Sequence, residues 1–97
     1  MQVVQTKNEG TLTCQIIGEV DTTTTPDLQK QLSFEGVTNL IFDFEKLEYL
    51  SSAGLRFFLY AQKQMNDTSG TMKIIKASDD VKKVFELVGF DAFITIE

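Results

Sequence analysis

The feature that most restricts the possible folds is a mostly apolar run near the middle of the chain, at residues 40–44. This run is too continuous for a strand that exposes one face to water, and strands of this kind are typically buried on both faces. It therefore predicts either helices on both sides of a sheet or a central position within one. A helical pattern follows at residues 52–66. We interpret the rest of the chain as structural support for the short stretch that joins this strand to this helix.

Patterns before the central strand predict two further strands and a helix. A weak strand pattern covers residues 2–7, and a clear period-two alternation covers residues 11–16. A hydroxyl followed by a proline, Thr25-Pro26, indicates a helix start, with Thr25 as the capping residue. Leu28 and Leu32 then lie four residues apart on one face, and Gly36 closes the segment.

Patterns after the central strand extend the same alternation of strands and helices. A strand is predicted at residues 72–76, a helix begins after the capping residue Ser78 and ends at Gly89, and a last strand is predicted at residues 92–96. The order β-β-α-β-α-β-α-β predicts an α/β fold, a small mostly parallel β-sheet with amphipathic helices and right-handed crossovers. The amphipathic positions of the two later helices are Leu55, Phe57, Phe58, Leu59, Ala61 and Met65, then Val81, Val84, Phe85 and Val88.

Composition limits the possible functions. The 97 residues suit a single domain, 1–97, and the net charge of −5 argues against nucleic acid as a direct partner. No apolar run approaches the roughly 20 residues that span a bilayer, so membrane insertion is not expected. Residues 1–10 have no signal-peptide core, which predicts a cytoplasmic protein. The single Cys14 cannot form an internal disulfide and is expected to pack in the core.

The absence of histidine argues against an enzyme. Without histidine there is no Ser-His-Asp triad, and with one cysteine a zinc site lacks its usual ligands. No glycine-rich phosphate-binding motif is present. We therefore expect no metal, no cofactor and no catalytic residue.

The start of the central helix carries two adjacent hydroxyls, Ser51 and Ser52. A serine at this place can cap the helix, because its oxygen accepts a hydrogen bond from a backbone N–H that lacks a partner. The same place also suits a phosphate, since free N–H groups and the positive end of the helix dipole point at it. Residue type alone leaves both interpretations open.

Four short motifs, in order and at consistent separations, resemble those of the bacterial anti-sigma factor antagonists, which are single STAS domains. Gly18-Glu19-Val20-Asp21 resembles the G-E-[hydrophobic]-D motif of that family, and residues 42–50 resemble its strand and lead-in loop. The stretch Ser51-Ser52-Ala53-Gly54-Leu55 stands where many members have D-S-[ST]-G-L. Residues 81–90 resemble the family's V-x-x-x-F and the glycine before its last strand.

The resemblance implies a phosphorylation-controlled partner switch. By this resemblance, an ATP-dependent serine kinase that is itself an anti-sigma factor phosphorylates Ser52, and Asp21 is the acidic residue near it in space. The unphosphorylated form would bind that kinase and free a sigma factor, and a PP2C-type phosphatase would reset the phosphorylated form. Ser51 stands in place of the family's acidic residue, and Ala53 in place of its Ser or Thr. The implied partner-binding residues are Asp21, Ser51, Ser52, Ala53, Gly54 and Leu55.

Three alternatives stay open at this level. The chain could be an unphosphorylated STAS accessory subunit of another complex, such as a lipid-transport ABC system. Asp21 could be only a turn residue. Gly54 could crowd a kinase or a neighbouring loop if it were enlarged, or it could be a plain helical glycine whose change to alanine would stabilise the helix by about 1 kcal/mol.

Overall fold

In the computed structural model, which describes all residues from Met1 to Glu97, the chain forms six strands, three α-helices and one 3₁₀ turn. The strands are β1 (Gln2–Asn8), β2 (Thr11–Val20), β3 (Asn39–Asp43), β4 (Leu47–Leu50), β5 (Thr71–Ile75) and β6 (Thr95–Ile96). The helices are α1 (Thr25–Gln31), α2 (Ser52–Asp67) and α3 (Asp79–Leu87), and the 3₁₀ turn is Phe90–Ala92. The fold is the small, mostly parallel α/β sheet that the element order predicts.

The strands form one sheet in the order β1-β2-β3-β5-β6. β1 is antiparallel to β2, and every other pair is parallel. Strand β4 follows β3 without a helix and pairs with the end of β2. Apart from β4, the chain moves across the sheet in one direction from β2 to β6, and each of these moves is made through a helix. Because such crossovers are right-handed, three moves in the same direction place all three helices on the same face.

Burial along the strands agrees with this one-sided arrangement. Leu12, Cys14 and Ile16 of β2 are buried, and the residues between them are half-exposed, which confirms the predicted alternation. In the central strand Leu40 and Phe42 are fully buried, whereas Ile41 between them is half-exposed. The apolar run therefore reflects a central position between two parallel strands, and the alternative of helices on both faces is wrong.

The core is centred on phenylalanines from β3 and α2. The ring of Phe42 stands edge-on to Phe58, with 4.9 Å between ring centroids, and Phe44 packs on Phe58 at 5.0 Å. The inward side of α2 matches the predicted stripe except at Leu59, which is half-exposed. Gln62, which periodicity did not predict to be buried, is also buried, and its Nε2 donates a hydrogen bond to Asn66 Oδ1 at 3.0 Å. The contacts of Phe58 hold the middle of α2 against the sheet.

Three local predictions need correction. Residues 47–50, which the resemblance assigns to the lead-in loop, form strand β4, because their backbone pairs with the end of β2; none of the four side chains is fully buried. Helix α1 begins after Thr24 rather than after Thr25; the hydroxyl of Thr25 instead donates a hydrogen bond to Asp21 O at 2.6 Å. The last strand is limited to Thr95–Ile96, since the residues before it form the 3₁₀ turn.

None of the helices combines the length and the apolar character needed to cross a membrane.

Candidate functional site

The site is formed where two paired strands end. Val20, the last residue of β2, is in register with Leu50, the last residue of β4. The backbone N–H of Ser51 donates a hydrogen bond to the carbonyl of Val20 at 2.9 Å. Parallel strands end at the same edge of a sheet, so Asp21 and Ser51 leave that edge as neighbours. This is the carboxyl edge, where ligands of open α/β sheets gather.

Ser51 is the residue that caps helix α2. Its backbone is extended, with φ −86° and ψ 173°, and its hydroxyl oxygen accepts a hydrogen bond from the N–H of Gly54 at 3.3 Å. Asp and Ser are about equally good in this position. The serine found here in place of the family's acidic residue therefore keeps the cap and removes a negative charge.

Ser52 is the first residue of α2, and its side chain is exposed. Its hydroxyl has no hydrogen-bond partner, because the capping bond is made by Ser51. No acidic residue lies in the first turn of α2. A group attached to the Ser52 oxygen would therefore project into solvent near the free N–H groups and the positive end of the helix. A group added to the Ser52 oxygen would leave the capping bond of Ser51 intact.

Gly54 and Leu55 face the interior, and Ala53 is half-exposed beside Ser52. A Cβ added at Gly54 would lie 2.8 Å from Val20 Cγ1, 3.0 Å from the Val20 carbonyl oxygen and 2.6 Å from Leu50 Cδ1. Leu55 is 5% exposed. Of the two explanations for Gly54, these contacts favour close packing, because a larger side chain at this position would crowd the ends of β2 and β4. Any part that Gly54 and Leu55 take in partner binding has to be indirect.

Asp21 organises the turn between β2 and α1. Its Oδ1 accepts hydrogen bonds from the N–H groups of Thr23 and Thr24 at 2.9 and 3.0 Å. These bonds, above all the one from Thr24, hold the pKa of the Asp21 carboxyl below its usual value. These hydrogen bonds show that Asp21 stabilises the turn between β2 and α1. Asp21 forms no hydrogen bond with Ser52, although the two residues follow paired strands.

Two exposed side chains near Ser52 were not among the sequence-based candidates. Arg56 lies one helical turn after Ser52, and its Nε donates a long hydrogen bond of 3.5 Å to the Ser52 carbonyl oxygen. Tyr60 lies one turn further and is 50% exposed. Together with Gln29, Ala53 and Phe57 they line a shallow depression of about 320 Å³ between α1 and α2. The sequence contains one clue to Arg56, because it is the only arginine of the chain.

The residues that could carry other chemistry are few. No group of three or more His, Cys, Asp or Glu side chains is placed to hold a metal ion. Cys14 is fully buried, and burial raises the pKa of its thiol to about 12. A neutral, inaccessible thiol fits the packing role that the strand pattern predicts.

The whole chain matches a known family model. The model of the STAS domain covers residues 2–97. The Bordetella bronchiseptica protein BtrV, named provisionally as an anti-sigma factor antagonist, is 30% identical over 93 residues, which are 93% of this chain and 80% of BtrV. The anti-sigma-B factor antagonist of Staphylococcus aureus is 29% identical over 75 residues, which are 74% of this chain and 69% of that protein. The chain belongs to the STAS domain family, and within it to the anti-sigma factor antagonists.

Solved structures with the same fold include the anti-sigma factor antagonist SpoIIAA. Its unphosphorylated form superposes with a TM-score of 0.80 at 19% identity, over 99% of this chain and 87% of that one. The phosphorylated form of the Bacillus protein gives a TM-score of 0.78 at 22% identity, over 99% of this chain and 91% of that one. At this level of identity the comparison establishes the fold.

Proposed function

We propose that this protein is a phosphorylation-controlled anti-sigma factor antagonist. In its unmodified form it binds an anti-sigma factor that is a serine kinase, and this binding releases a sigma factor. The kinase transfers a phosphoryl group to Ser52, binding is lost, and a PP2C-type phosphatase restores the unmodified form. The protein itself is the regulated partner and acts in the cytoplasm.

The observation that supports the proposal is that the two adjacent serines have different roles. Ser51 makes the capping bond to Gly54 N–H, so the hydroxyl of Ser52 is exposed and unbonded. In the transfer step the Ser52 oxygen would bond to the γ-phosphorus of ATP, the bond from that phosphorus to ADP would break, and the hydroxyl proton would be released. The capping bond remains while this happens, so the helix keeps its start.

Electrostatics supports the idea that the modified domain stays folded. A phosphate adds about −1.5 to −2 charges near pH 7. At a helix N-terminus, negative charge is favourable by roughly 0.3–1 kcal/mol. SpoIIAA, which has been solved in both phosphorylated and unphosphorylated forms, resembles this chain to a similar degree in each, with TM-scores of 0.78 and 0.80.

Loss of binding follows from the same charge in a different setting. The exposed surface around Ser52 includes Ala53, Arg56 and Tyr60, and we propose that the kinase covers it. Asp21 would contribute to this surface through the turn that it holds, and Gly54 and Leu55 through the packing that fixes the start of α2. A phosphate at the centre of such an interface would be desolvated, and it would face like charges on an acidic partner. Like-charge juxtaposition at an interface costs several kcal/mol, and each 1.4 kcal/mol is a tenfold change in affinity.

The test is a calorimetric titration of the candidate kinase with four forms of the protein. Unmodified protein and Ser52→Ala are expected to bind, and protein phosphorylated at Ser52 is expected to bind about 100-fold more weakly or worse. Ser52→Asp should be intermediate, because it carries less charge and fewer acceptor oxygens than a phosphate. Circular dichroism checks that each form is folded.

A matched control separates position from charge. Ser69, at the opposite end of α2, is exposed and has no side-chain hydrogen bond, so Ser69→Asp adds the same charge far from the site. This variant should bind like the unmodified protein. If folded protein phosphorylated at Ser52 binds as tightly as unmodified protein, the switch mechanism is wrong, and a scaffold role in another complex takes its place.

A further inference from the structure

The single arginine of the chain lies against the backbone of Ser52. Arg56 is four residues after Ser52 in the same helix, and side chains at this spacing are neighbours. Side chains on a helix also lean towards its N-terminus, which carries the Arg56 guanidinium over the first turn of α2. The 3.5 Å contact from its Nε to the Ser52 carbonyl oxygen shows this direction.

The guanidinium has no carboxylate partner. The three ion pairs of the structure involve Lys73 and Lys76, with Asp43, Glu45 and Glu97. The next cation along α2 is Lys63, seven residues beyond Arg56 and therefore about 10 Å further along the helix axis. Arg56 is thus an exposed, uncommitted positive charge one turn from the Ser52 side chain.

The surroundings of Ser52 make this charge significant. Asp21 leaves the sheet next to Ser51, and as a carboxylate it carries a negative charge at neutral pH, so it repels a phosphate. Arginine presents a planar fork of N–H donors that matches the oxygens of a phosphate. A phosphoryl group on Ser52 would lie between one repelling carboxylate and one attracting guanidinium.

We infer that Arg56 is the internal phosphate-binding residue of this protein: once Ser52 is phosphorylated, the Arg56 guanidinium pairs with the phosphate within the first turn of α2. This role rests on the proposed phosphorylation of Ser52. It adds a second consequence to the modification, because the only arginine on the proposed partner surface is then occupied. Phosphorylation would change both the charge at Ser52 and the availability of Arg56.

The test uses protein that carries phosphoserine at position 52, incorporated during translation, so neither the kinase nor the partner is needed. Since the chain has one arginine, its Nε–Hε group gives a single signal in a ¹H–¹⁵N spectrum. We expect this signal to shift and its exchange with water to slow when Ser52 is phosphorylated. An unchanged signal and exchange rate would overturn the inference.

A ³¹P titration of the same protein provides the second readout. A paired guanidinium favours the doubly charged phosphate, so the second pKa of phosphoserine should be lower with Arg56 than in the Arg56→Gln variant. Lys63→Gln removes an equal charge from the same helix at a distance, and it should leave the titration unchanged. The difference between the two variants should shrink with added salt. Equal phosphate titrations in Arg56→Gln and Lys63→Gln would also overturn the inference.

These readouts distinguish failure of the inference from failure of the proposed function. If no kinase modifies Ser52 but the incorporated phosphate shifts the Arg56 signal, the proposed function fails while the pairing stands. If the kinase modifies Ser52 and binding is lost without any change at Arg56, the pairing is wrong and the switch remains. If Arg56→Gln folds poorly, the pairing is still tested by comparing the Arg56 signal with and without phosphate on Ser52, in protein that keeps Arg56.

Discussion

Helices α2 and α3 begin with the same cap and then differ at each of the next three positions. Ser78 Oγ accepts a hydrogen bond from Val81 N at 3.2 Å, as Ser51 Oγ does from Gly54 N at 3.3 Å. The three residues after the cap are Asp79, Asp80 and Val81 in α3. In α2 they are Ser52, Ala53 and Gly54.

The first difference is electrostatic. In α3 the two aspartates already supply the negative charge that a helix N-terminus favours. In α2 the first turn has no acidic residue, and its first position is an exposed hydroxyl. The start of α3 is therefore complete as it stands, whereas the start of α2 can still receive a charge. A conventional cap and the proposed modification site thus share one capping geometry and differ in the residues that follow it.

The second difference is in packing. Gly54 touches the ends of β2 and β4, and there is no room for a Cβ. Val81, at the same position in α3, is a larger residue and half-exposed. The close approach at Gly54 packs the first turn of α2 against the sheet, while the Ser52 side chain is exposed.

The largest expected effect is at Gly54. Overpacking typically costs 1–3 kcal/mol, which exceeds the roughly 1 kcal/mol that alanine gains over glycine in a helix. We expect Gly54→Ala to lose about 1 kcal/mol of unfolding free energy and Gly54→Val about 3 kcal/mol or more, measured by urea denaturation. At the matching position of α3 the trend reverses, because Val81→Ala should destabilise by removing apolar contact. If Gly54→Ala stabilised the protein, the close-packing difference between the two helix starts would be wrong.

A smaller effect tests whether the two caps are equivalent. Ser51→Ala and Ser78→Ala should each lower the unfolding free energy by about 1 kcal/mol, because each leaves a backbone N–H without its acceptor. Ser52→Ala removes a hydroxyl that makes no bond and should change the unfolding free energy little. The same urea denaturation provides the measurement. A loss at Ser52→Ala as large as at Ser51→Ala would show that the two serines share the capping role.

The smallest effect concerns charge. Ser52→Asp should raise the unfolding free energy by roughly 0.3–1 kcal/mol, and Asp79→Ser should lower it by a similar amount, since both changes act on the first position of a helix. Thermal melting at low and high salt measures both, and added salt should reduce each difference. Destabilisation by Ser52→Asp would mean that the start of α2 cannot accept negative charge, and the contrast with α3 would be lost.

Most of the fold was predictable from local patterns. Alternation of polar and apolar residues identified the first part of β2, residues 11–16 of Thr11–Val20, and i, i+3, i+4 spacing identified α2 and α3. Ser78 was correctly predicted as a cap and Gly89 as the residue that ends α3, where its φ is +76°. These features are local because a cap, a helix face and a left-handed turn residue each depend on neighbours within a few positions.

The sequence by itself determined the order of strands and helices, the central position of β3 as one of two alternatives, the family resemblance and the place of Ser51 and Ser52 at a helix start. Only the tertiary structure decided that Ser51 caps while Ser52 stays free, that Gly54 faces inward, and that β4 pairs with β2. The pairing of β4 and the inward position of Gly54 depend directly on contacts between Val20 and residues 50–54, about 30 positions further along the chain. The capping bond itself is local, but the hydrogen bond from Ser51 N–H to the Val20 carbonyl fixes where α2 begins. Such contacts leave no periodic trace in either segment, because they are set by the register of two strands that meet only when the sheet forms.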